Sequence, residues 1–292
     1  MPKIASAQYD ISFLETWDNF VAKTQRWVNE AAYNKADILL FPEYACMELA
    51  SLFPKEVYSS LSGQLDALQT LLPDYLNLFK SLAAEHRVYI QAGTFPVKHV
   101  SGEFRNHAYF FTPQGDVDFQ EKLTMTRFEN EQWHISRGLD IKLFDTLFGK
   151  VAINICYDSE FPHYARQQAE RGATLILVPS CTDTEAGYYR VRIGCQARAL
   201  ENQCYVAQAS LVGNAAWSEA VDVNCGAAAI YTPVDRGFPN NGILAIGEYN
   251  KTQWVYADLD LTAVDTVRQE GQVFNFRDWP KQFDCNMTEN SG

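Results

Sequence analysis

Three reactive side chains, Glu43, Lys122 and Cys156, each come just past the end of a predicted apolar strand. Because α/β folds assemble their sites at the carboxyl ends of strands, we expect these side chains to converge. A cysteine thiol has an unperturbed pKa of about 8.5, so a nucleophilic cysteine needs a neighbouring base and a cation. In this set Glu43 is the candidate base and Lys122 the cation. The predicted chemistry is attack by Cys156 on an electrophilic carbon.

The elements that must position these residues alternate between strand and helix patterns along almost the whole chain. Apolar runs predict strands at residues 4–8, 38–41, 88–92, 108–111, 117–122, 151–155, 175–178, 205–210, 227–231, 243–246 and 254–259. Helical spacing predicts helices at about 17–31 after a Thr16 cap, 65–86 with an interruption at Pro73, from Pro162 to a stop at Gly172, and 189–201. This alternation is typical of an α/β sandwich.

The chain contains no Pro/Gly/Ser-rich linker and no internal repeat, which indicates a single domain over residues 1–292. We expect the core to cover about 1–262. The polar and aromatic residues from about 263 to 292 form a C-terminal extension, which we expect either to wrap a neighbouring subunit or to fray.

Composition excludes several classes of protein. The net charge is −12, so the clustered Lys and Arg that nucleic-acid binding requires are missing. No apolar run is long enough to cross a membrane, and the N-terminus lacks the layout of a signal peptide. The seven cysteines contain no C-x-x-C pair, which favours free thiols in a reducing compartment. We therefore expect a cytoplasmic protein with no nucleic-acid or membrane partner.

No cofactor or metal is expected either. The five histidines are scattered without the spacing of metal ligands, and no glycine-rich phosphate loop follows a strand.

The order of several short motifs resembles the nitrilase superfamily of carbon-nitrogen hydrolases from Ile4 to about Leu259. The matching motifs are Phe41-Pro42-Glu43, Glu121-Lys122, Ile155-Cys156-Tyr157-Asp158 with Phe161-Pro162, Val178-Pro179-Ser180, and Ala197-Arg198-Ala199-Leu200-Glu201-Asn202. The resemblance implies a four-layer α-β-β-α sandwich. It also implies a homodimer or higher even oligomer, formed through helices of one outer layer.

The resemblance further implies hydrolysis of a non-peptide carbon-nitrogen bond through a thioester on Cys156. Glu43 is then the general base, while Lys122 and the backbone N–H of Tyr157 stabilise the developing oxyanion. The substrate expected first is a small linear amide, which gives a carboxylic acid and ammonia or an amine.

The family commonly has a second glutamate that contacts the lysine and positions substrate. Glu129 and Glu131 both fall between Lys122 and Cys156. We favour Glu131, because the Glu-x-Trp order resembles the amidase version, and retain Glu129 as the alternative in substrate binding.

One segment departs from the family pattern. Family members often have an aromatic residue soon after Pro-Ser, but this chain continues Cys181-Thr182-Asp183. We hypothesise that Asp183 recognises a cationic group on the substrate. The six cysteines other than Cys156 are interpreted as small buried hydrophobic residues.

Other functions stay open at this point. The same three residues would serve a nitrilase or an N-carbamoyl amidohydrolase. A catalytically silent binding protein of the same fold is a further alternative, although it would not need all three reactive groups. A papain-like Cys/His pair would require His163, the histidine nearest in sequence to Cys156.

Overall fold

The computed structural model describes residues 1–285, in which strands and helices alternate as expected. The strands are β1 (Lys3–Asp10), β2 (Ile38–Phe41), β3 (Tyr89–Ala92), β4 (Phe95–Lys98), β5 (Phe104–Phe111), β6 (Val117–Glu121), β7 (Ile135–Ser136), β8 (Phe144–Thr146), β9 (Gly149–Ile153), β10 (Ala173–Ser180), β11 (Tyr205–Asn214), β12 (Val223–Asn224), β13 (Ala229–Tyr231), β14 (Ile243–Ile246) and β15 (Gln253–Asp258).

The helices are α1 (Trp17–Tyr33), α2 (Lys55–Tyr58), α3 (Leu61–Leu68), α4 (Leu72–His86), α5 (Arg127–Glu131), α6 (Pro162–Glu170), α7 (Glu185–Asn202), α8 (Leu261–Glu270) and α9 (Asn275–Asp278). Three further segments are 3₁₀ helices: Ala45–Leu52, Cys156–Glu160 and Trp279–Asp284.

The strands hydrogen-bond side by side in the order β4-β5-β3-β2-β1-β11-β10-β9-β8. From β3 through β9 the neighbours along this path are parallel, so their carboxyl ends lie at the same edge. The predicted hairpin is confirmed by the antiparallel pairing of β5 with β6, in which Phe111 opposes Val117. Glu43, Lys122 and Cys156 therefore leave the sheet at the ends of β2, β6 and β9.

Two hydrophobic clusters show the layering. Leu39 and Phe41 of β2 pack with residues of α1 and α4, whereas Ile38 and Leu40 of the same strand pack with β9, β10, α6 and α7. Since successive side chains of a strand point to opposite faces, β2 has helices on one side and the second half of the sheet on the other. The layers run helix, strand, strand, helix, which confirms the four-layer sandwich.

Local signals predicted several element boundaries. The Thr16 cap of α1 is confirmed, because its side chain accepts a hydrogen bond from the backbone N–H of Asn19 at 3.2 Å. The helical region predicted over 65–86 is interrupted as expected and forms two helices, α3 and α4, but the break precedes Pro73. Pro73 lies in the first turn of α4, where a missing N–H leaves no helix hydrogen bond unmade.

The described part of the C-terminal extension, up to residue 285, packs against its own chain. The ring of Phe276 lies between the guanidinium groups of Arg166 and Arg268, whose central carbons are 4.6 and 4.2 Å from its centroid. Gln203 accepts from the backbone N–H of Phe276 at 3.1 Å. The predicted division near residue 262 falls inside α8, and residues 286–292 lie outside the described part of the chain.

Among residues 1–285, no helix is long and apolar enough to cross a membrane.

Candidate active site

Cys156 begins a 3₁₀ turn, separated by two residues from the end of β9, and has a positive φ of 47°. This conformation is unfavourable for a residue with a side chain, so surrounding contacts must hold it. Asp158 supplies one such contact, since its carboxylate accepts from the backbone N–H of Ile155 at 3.3 Å. From α7, the Arg198 guanidinium donates to the carbonyl of Ser159 at 3.1 Å. The sulfur of Cys156 is thereby fixed at a sharp strand-to-helix elbow.

The close packing of α7 on this turn depends on a glycine. A Cβ at Gly194 would lie 2.9 Å from the carbonyl oxygen of Ser159, a distance that side chains do not tolerate. Arg198, one turn further along α7, also forms two hydrogen bonds to Glu201, at 3.0 and 2.9 Å. The structure therefore places this ion pair behind the elbow.

Lys122 is buried between two glutamates. Its ammonium donates to Glu43 Oε1 at 2.8 Å and to the two carboxylate oxygens of Glu129 at 2.7 and 2.6 Å. All three side chains are at most 3% exposed. Burial alone would lower the pKa of Lys122, but the two carboxylates raise it well above its ordinary value. The lysine is consequently a fixed positive charge.

Glu43 lies at the end of β2, held by a close contact between two loops. Gly93, at φ 73°, lets the chain approach Pro42 so closely that a Cβ would be 2.2 Å from the Pro42 carbonyl oxygen. Burial raises the pKa of Glu43 to about 7, although the charge of Lys122 opposes this shift. A carboxyl group with this pKa exchanges protons readily near neutral pH, as a general base must.

Cys156 is buried, and both Cys156 and Glu43 contact Cys181. The Cys156 thiol donates to the carbonyl of Cys181 over 3.5 Å. Burial, followed by the negative charge of Glu43, raises the pKa of the Cys156 thiol well above its ordinary value. The charge of Lys122 opposes this shift only in part, so the resting sulfur is a neutral thiol that needs a base.

Glu129, rather than Glu131, contacts Lys122, so the preference for Glu131 is wrong. The Glu129 carboxylate accepts from Lys122, from the Tyr44 hydroxyl at 2.6 Å and from the Thr126 backbone N–H at 2.9 Å. Burial raises the pKa of Glu129, but Lys122 and these hydrogen bonds lower it further, and the net direction is downward. Glu131 is exposed and pairs with Arg127 on α5 at 2.8 Å.

The sequence contains a local signal that favours Glu129 over Glu131 as the partner of Lys122. Thr126 and Glu129 form a capping box at the start of α5, in which each side chain bonds the backbone of the other residue. The pattern Thr-x-x-Glu turns the glutamate side chain back toward the helix N-terminus, and therefore toward Lys122.

Cys181 lies at the centre of the site and was not predicted there. Its backbone N–H donates to Glu43 Oε2 at 3.2 Å, and its carbonyl accepts from Cys156. Its own thiol donates to Asn224 Oδ1 at 3.2 Å. The interpretation of Cys181 as a simple buried hydrophobic residue is therefore wrong.

Two further polar residues that the sequence did not single out hold the reactive groups or the segments that carry them. Asn106 on β5 donates from Nδ2 to Glu43 Oε1 at 3.1 Å. Asp158, fully buried, accepts from the backbone N–H groups of Leu123 and Thr124, the two residues after Lys122, at 3.1 and 2.7 Å. Asp158 thus ties the lysine loop to the cysteine elbow.

The other predicted residues lie around this cluster. Tyr157 is half-buried with its ring against Phe161, at a centroid distance of 4.9 Å. Asp183 is exposed, one residue before the cap of α7. His163 is exposed on α6 and bonds to Gln167 at 2.7 Å, which leaves the papain-like alternative without its histidine. Among the described residues, no group of three His, Cys, Asp or Glu side chains is placed to hold a metal ion.

Comparison with known proteins gives relatives over the whole sandwich. A probable hydrolase of Bacillus subtilis, YhcX, is 36% identical over 276 residues, which are 94% of this chain and 53% of that protein. The chain thus spans about half the length of this relative. The human omega-amidase NIT2 is 26% identical over 284 residues, covering 93% of each protein.

Solved structures match the fold at lower sequence identity. The Caenorhabditis elegans NitFhit protein superposes with a TM-score of 0.75 at 23% identity, over 92% of this chain and 63% of that one. An amidase mutant from Nesterenkonia sp. AN1, in which acrylamide has added to the active-site cysteine, superposes with a TM-score of 0.72 at 20% identity, over 96% and 100% of the two chains.

The sequence model of the carbon-nitrogen hydrolase family matches residues 3–269, which are most of the chain and include every residue of the cluster around Lys122. The chain therefore belongs to the carbon-nitrogen hydrolase family, the enzymes of the nitrilase superfamily.

Proposed function

We propose that the protein hydrolyses a small linear amide to a carboxylic acid and ammonia or an amine, through a thioester on Cys156. The observation that carries this proposal is the buried Lys122 ammonium held between Glu43 and Glu129, beside the neutral thiol of Cys156. The human relative named omega-amidase and the Nesterenkonia amidase support an amide as substrate.

Acylation begins when Glu43 takes the thiol proton and the sulfur attacks the amide carbon. Charge then develops on the substrate oxygen, where the Lys122 ammonium and the Tyr157 backbone N–H stabilise it. Glu43 passes its proton to the leaving nitrogen, the carbon-nitrogen bond breaks, and ammonia or an amine departs. Cys156 is left as a thioester.

Deacylation repeats these steps with water. Glu43 takes a proton from the water, whose oxygen attacks the thioester carbon. The carbon-sulfur bond breaks, and Glu43 returns the proton to Cys156. Glu129 acts through Lys122 by holding the ammonium in place, and it is the second glutamate of the site.

A silent binding protein is a poor fit to these residues. Burying an ammonium and two carboxylates costs desolvation energy that their attraction repays only in part. A silent binding protein would gain nothing from this desolvation, whereas catalysis uses each of the three groups.

The first test is intact-protein mass spectrometry after brief incubation with a panel of small amides, nitriles and ureido acids, together with measurement of ammonia release. The wild type should gain the mass of one acyl group. Because an amide and the corresponding nitrile give the same acyl thioester, each compound is incubated separately, and the compound that reacts distinguishes an amidase from a nitrilase or an N-carbamoyl amidohydrolase. Cys156→Ala should gain none. Cys204→Ala, which removes a fully buried cysteine outside the cluster, is the matched control and should react like the wild type.

Ammonia release by Cys156→Ala at the wild-type rate would overturn the thioester mechanism. A folded wild type that forms no adduct and releases no ammonia on any member of the panel would favour the binding protein instead.

For substrate selection we propose that Asp183 contacts a cationic group of the substrate. The residue is exposed and follows Cys181, which contacts both Glu43 and Cys156, by two positions. Asp183→Ala should lower kcat/KM for cationic amides about tenfold relative to neutral ones. Equal selectivity in the variant and the wild type would remove this role.

We also propose that the protein is a cytoplasmic homodimer or higher even oligomer that pairs through its outer helices. Tyr189, Ile193 and Leu200 form an apolar stripe on α7 and are 43%, 63% and 40% exposed. Such a stripe on a long helix is typical of an interface between subunits.

A further inference from the structure

The two carboxylate oxygens of Glu43 have unequal surroundings. Oε1 accepts from Lys122 at 2.8 Å and from Asn106 Nδ2 at 3.1 Å. Oε2 accepts from the backbone N–H of Cys181 at 3.2 Å. On the basis of the proposed function, we propose that Asn106 is a positioning residue that directs the catalytic proton to Oε2 of Glu43.

The hydrogen bonds that each oxygen of Glu43 already accepts decide which oxygen can take a proton. Each carboxylate oxygen offers about two lone-pair sites. Lys122 and Asn106 occupy both sites of Oε1, whereas the described residues fill one site of Oε2. Oε2 therefore keeps the free site that a proton from the thiol needs.

The position of Cys156 agrees with this choice. Its thiol donates to the carbonyl of Cys181, and the N–H of the same residue donates to Oε2. Sulfur and Oε2 thus both lie against Cys181. When Cys156 reacts, the S–H bond breaks, an O–H bond forms at Oε2, and the sulfur electron pair attacks the substrate carbon.

Asn106 is held in one orientation by this contact. It is fully buried on β5, and its Oδ1 has no hydrogen-bond partner among residues 1–285. Rotating the amide by half a turn would place Oδ1 against Oε1 of Glu43, two acceptors facing each other. Its backbone carbonyl also accepts from the N–H of Lys122 at 2.9 Å. An unpaired buried oxygen costs stability.

Several titratable groups from other elements face Glu43 and contribute to its pKa. They are Lys122 after β6, Glu129 on α5, Cys156 after β9, Cys181 after β10, and Tyr44, which follows Glu43 in the chain. None of them changes in an Asn106 variant. A shift in the titration of Glu43 in that variant therefore reports the lost amide hydrogen bond.

The test measures the alkylation rate of Cys156 by iodoacetamide between pH 5 and 9, with the modified peptide quantified by mass spectrometry. The reaction breaks the carbon-iodine bond and leaves the thiol proton on Glu43, so its rate requires the ionised carboxylate. Asn106→Leu removes the donor to the charged form of Glu43. The acid limb of the pH–rate profile should move up by about one pH unit, and the rate at pH 7 should fall about fivefold.

Two further variants make the result interpretable. Asn106→Asp keeps the shape but replaces the donor with a second acid, and should move the limb upward at least as far. Asn202→Leu is the matched control, because Asn202 is also fully buried, donates from Nδ2 to the carbonyl of Arg198 at 3.0 Å and leaves Oδ1 unpartnered. It should lose stability without moving the limb.

An acid limb that stays at the wild-type pH in both Asn106 variants would overturn the role of Asn106. Glu43→Gln separates this outcome from failure of the proposed function. Wild-type alkylation kinetics in Glu43→Gln would show that Glu43 is not the base. Loss of the limb in Glu43→Gln, with both Asn106 variants unchanged, would leave the base in place and reject Asn106 alone.

Discussion

Lys122 donates to both carboxylate oxygens of Glu129, at 2.7 and 2.6 Å, and this contact distinguishes Glu129 from Glu131, the other glutamate of α5. We expect Glu129→Gln to lower kcat about 100-fold, because the ammonium loses a charged partner and moves from the position that faces the oxyanion. Glu131→Gln is the matched control and should keep wild-type kcat, since its side chain is exposed. Similar losses in the two variants would contradict the assignment.

The pH dependence of the reaction should follow Glu43. Burial raises its pKa to about 7, and only the ionised form accepts the thiol proton. Activity should therefore reach a plateau above pH 7 and fall as the pH drops through that value. Initial rates of product formation from pH 5 to 9 measure this, with circular dichroism at each pH to show that the fold persists. A plateau that extends to pH 5 would contradict a base with a pKa near 7.

Asp158 should make the folded protein less stable as the pH rises toward 7. Burial raises its pKa to about 7, whereas an unfolded aspartate has a pKa of about 3.9. Between these values the folded protein binds the extra proton, so its stability falls as the pH rises toward 7, by at most about 1.4 kcal/mol per unit. Asp158→Asn cannot titrate.

Urea unfolding of wild type and Asp158→Asn at pH 5, 6, 7 and 8 measures this effect. The stability advantage of the wild type should shrink as the pH rises, because its carboxyl becomes charged inside the protein. The contribution of Glu43 is the same in both proteins and cancels in the difference. A constant difference in free energy of unfolding across this range would show that Asp158 does not titrate near pH 7.

The apolar stripe on α7 makes the oligomeric state testable. Ile193→Glu should shift the protein to smaller species in sedimentation velocity, since it would bury a charge between subunits. Leu147→Glu changes an equally apolar side chain in the β8–β9 turn, where it is 80% exposed, and should leave the assembly intact. A monomeric wild type, or no effect of Ile193→Glu, would argue against pairing through α7.

Much of the fold was predictable because its signals are local. Strand and helix periods, the Thr16 cap and the β5–β6 hairpin depend on residues close in sequence. These local signals were enough to predict that Glu43, Lys122 and Cys156 lie just past the ends of strands. The choice of Glu129 was also within reach, through its capping box with Thr126.

The sequence by itself determined which three reactive residues lie just past the ends of strands, and in which family such an order occurs. Only the tertiary structure decided how Asn106, Asp158 and Cys181 bind these residues. Their hydrogen bonds to these residues and to the backbone after Lys122 join positions 25 to 138 residues apart, such as Cys181 with Glu43. Contacts of this kind depend on how strands align and how layers pack, which no local period or cap encodes.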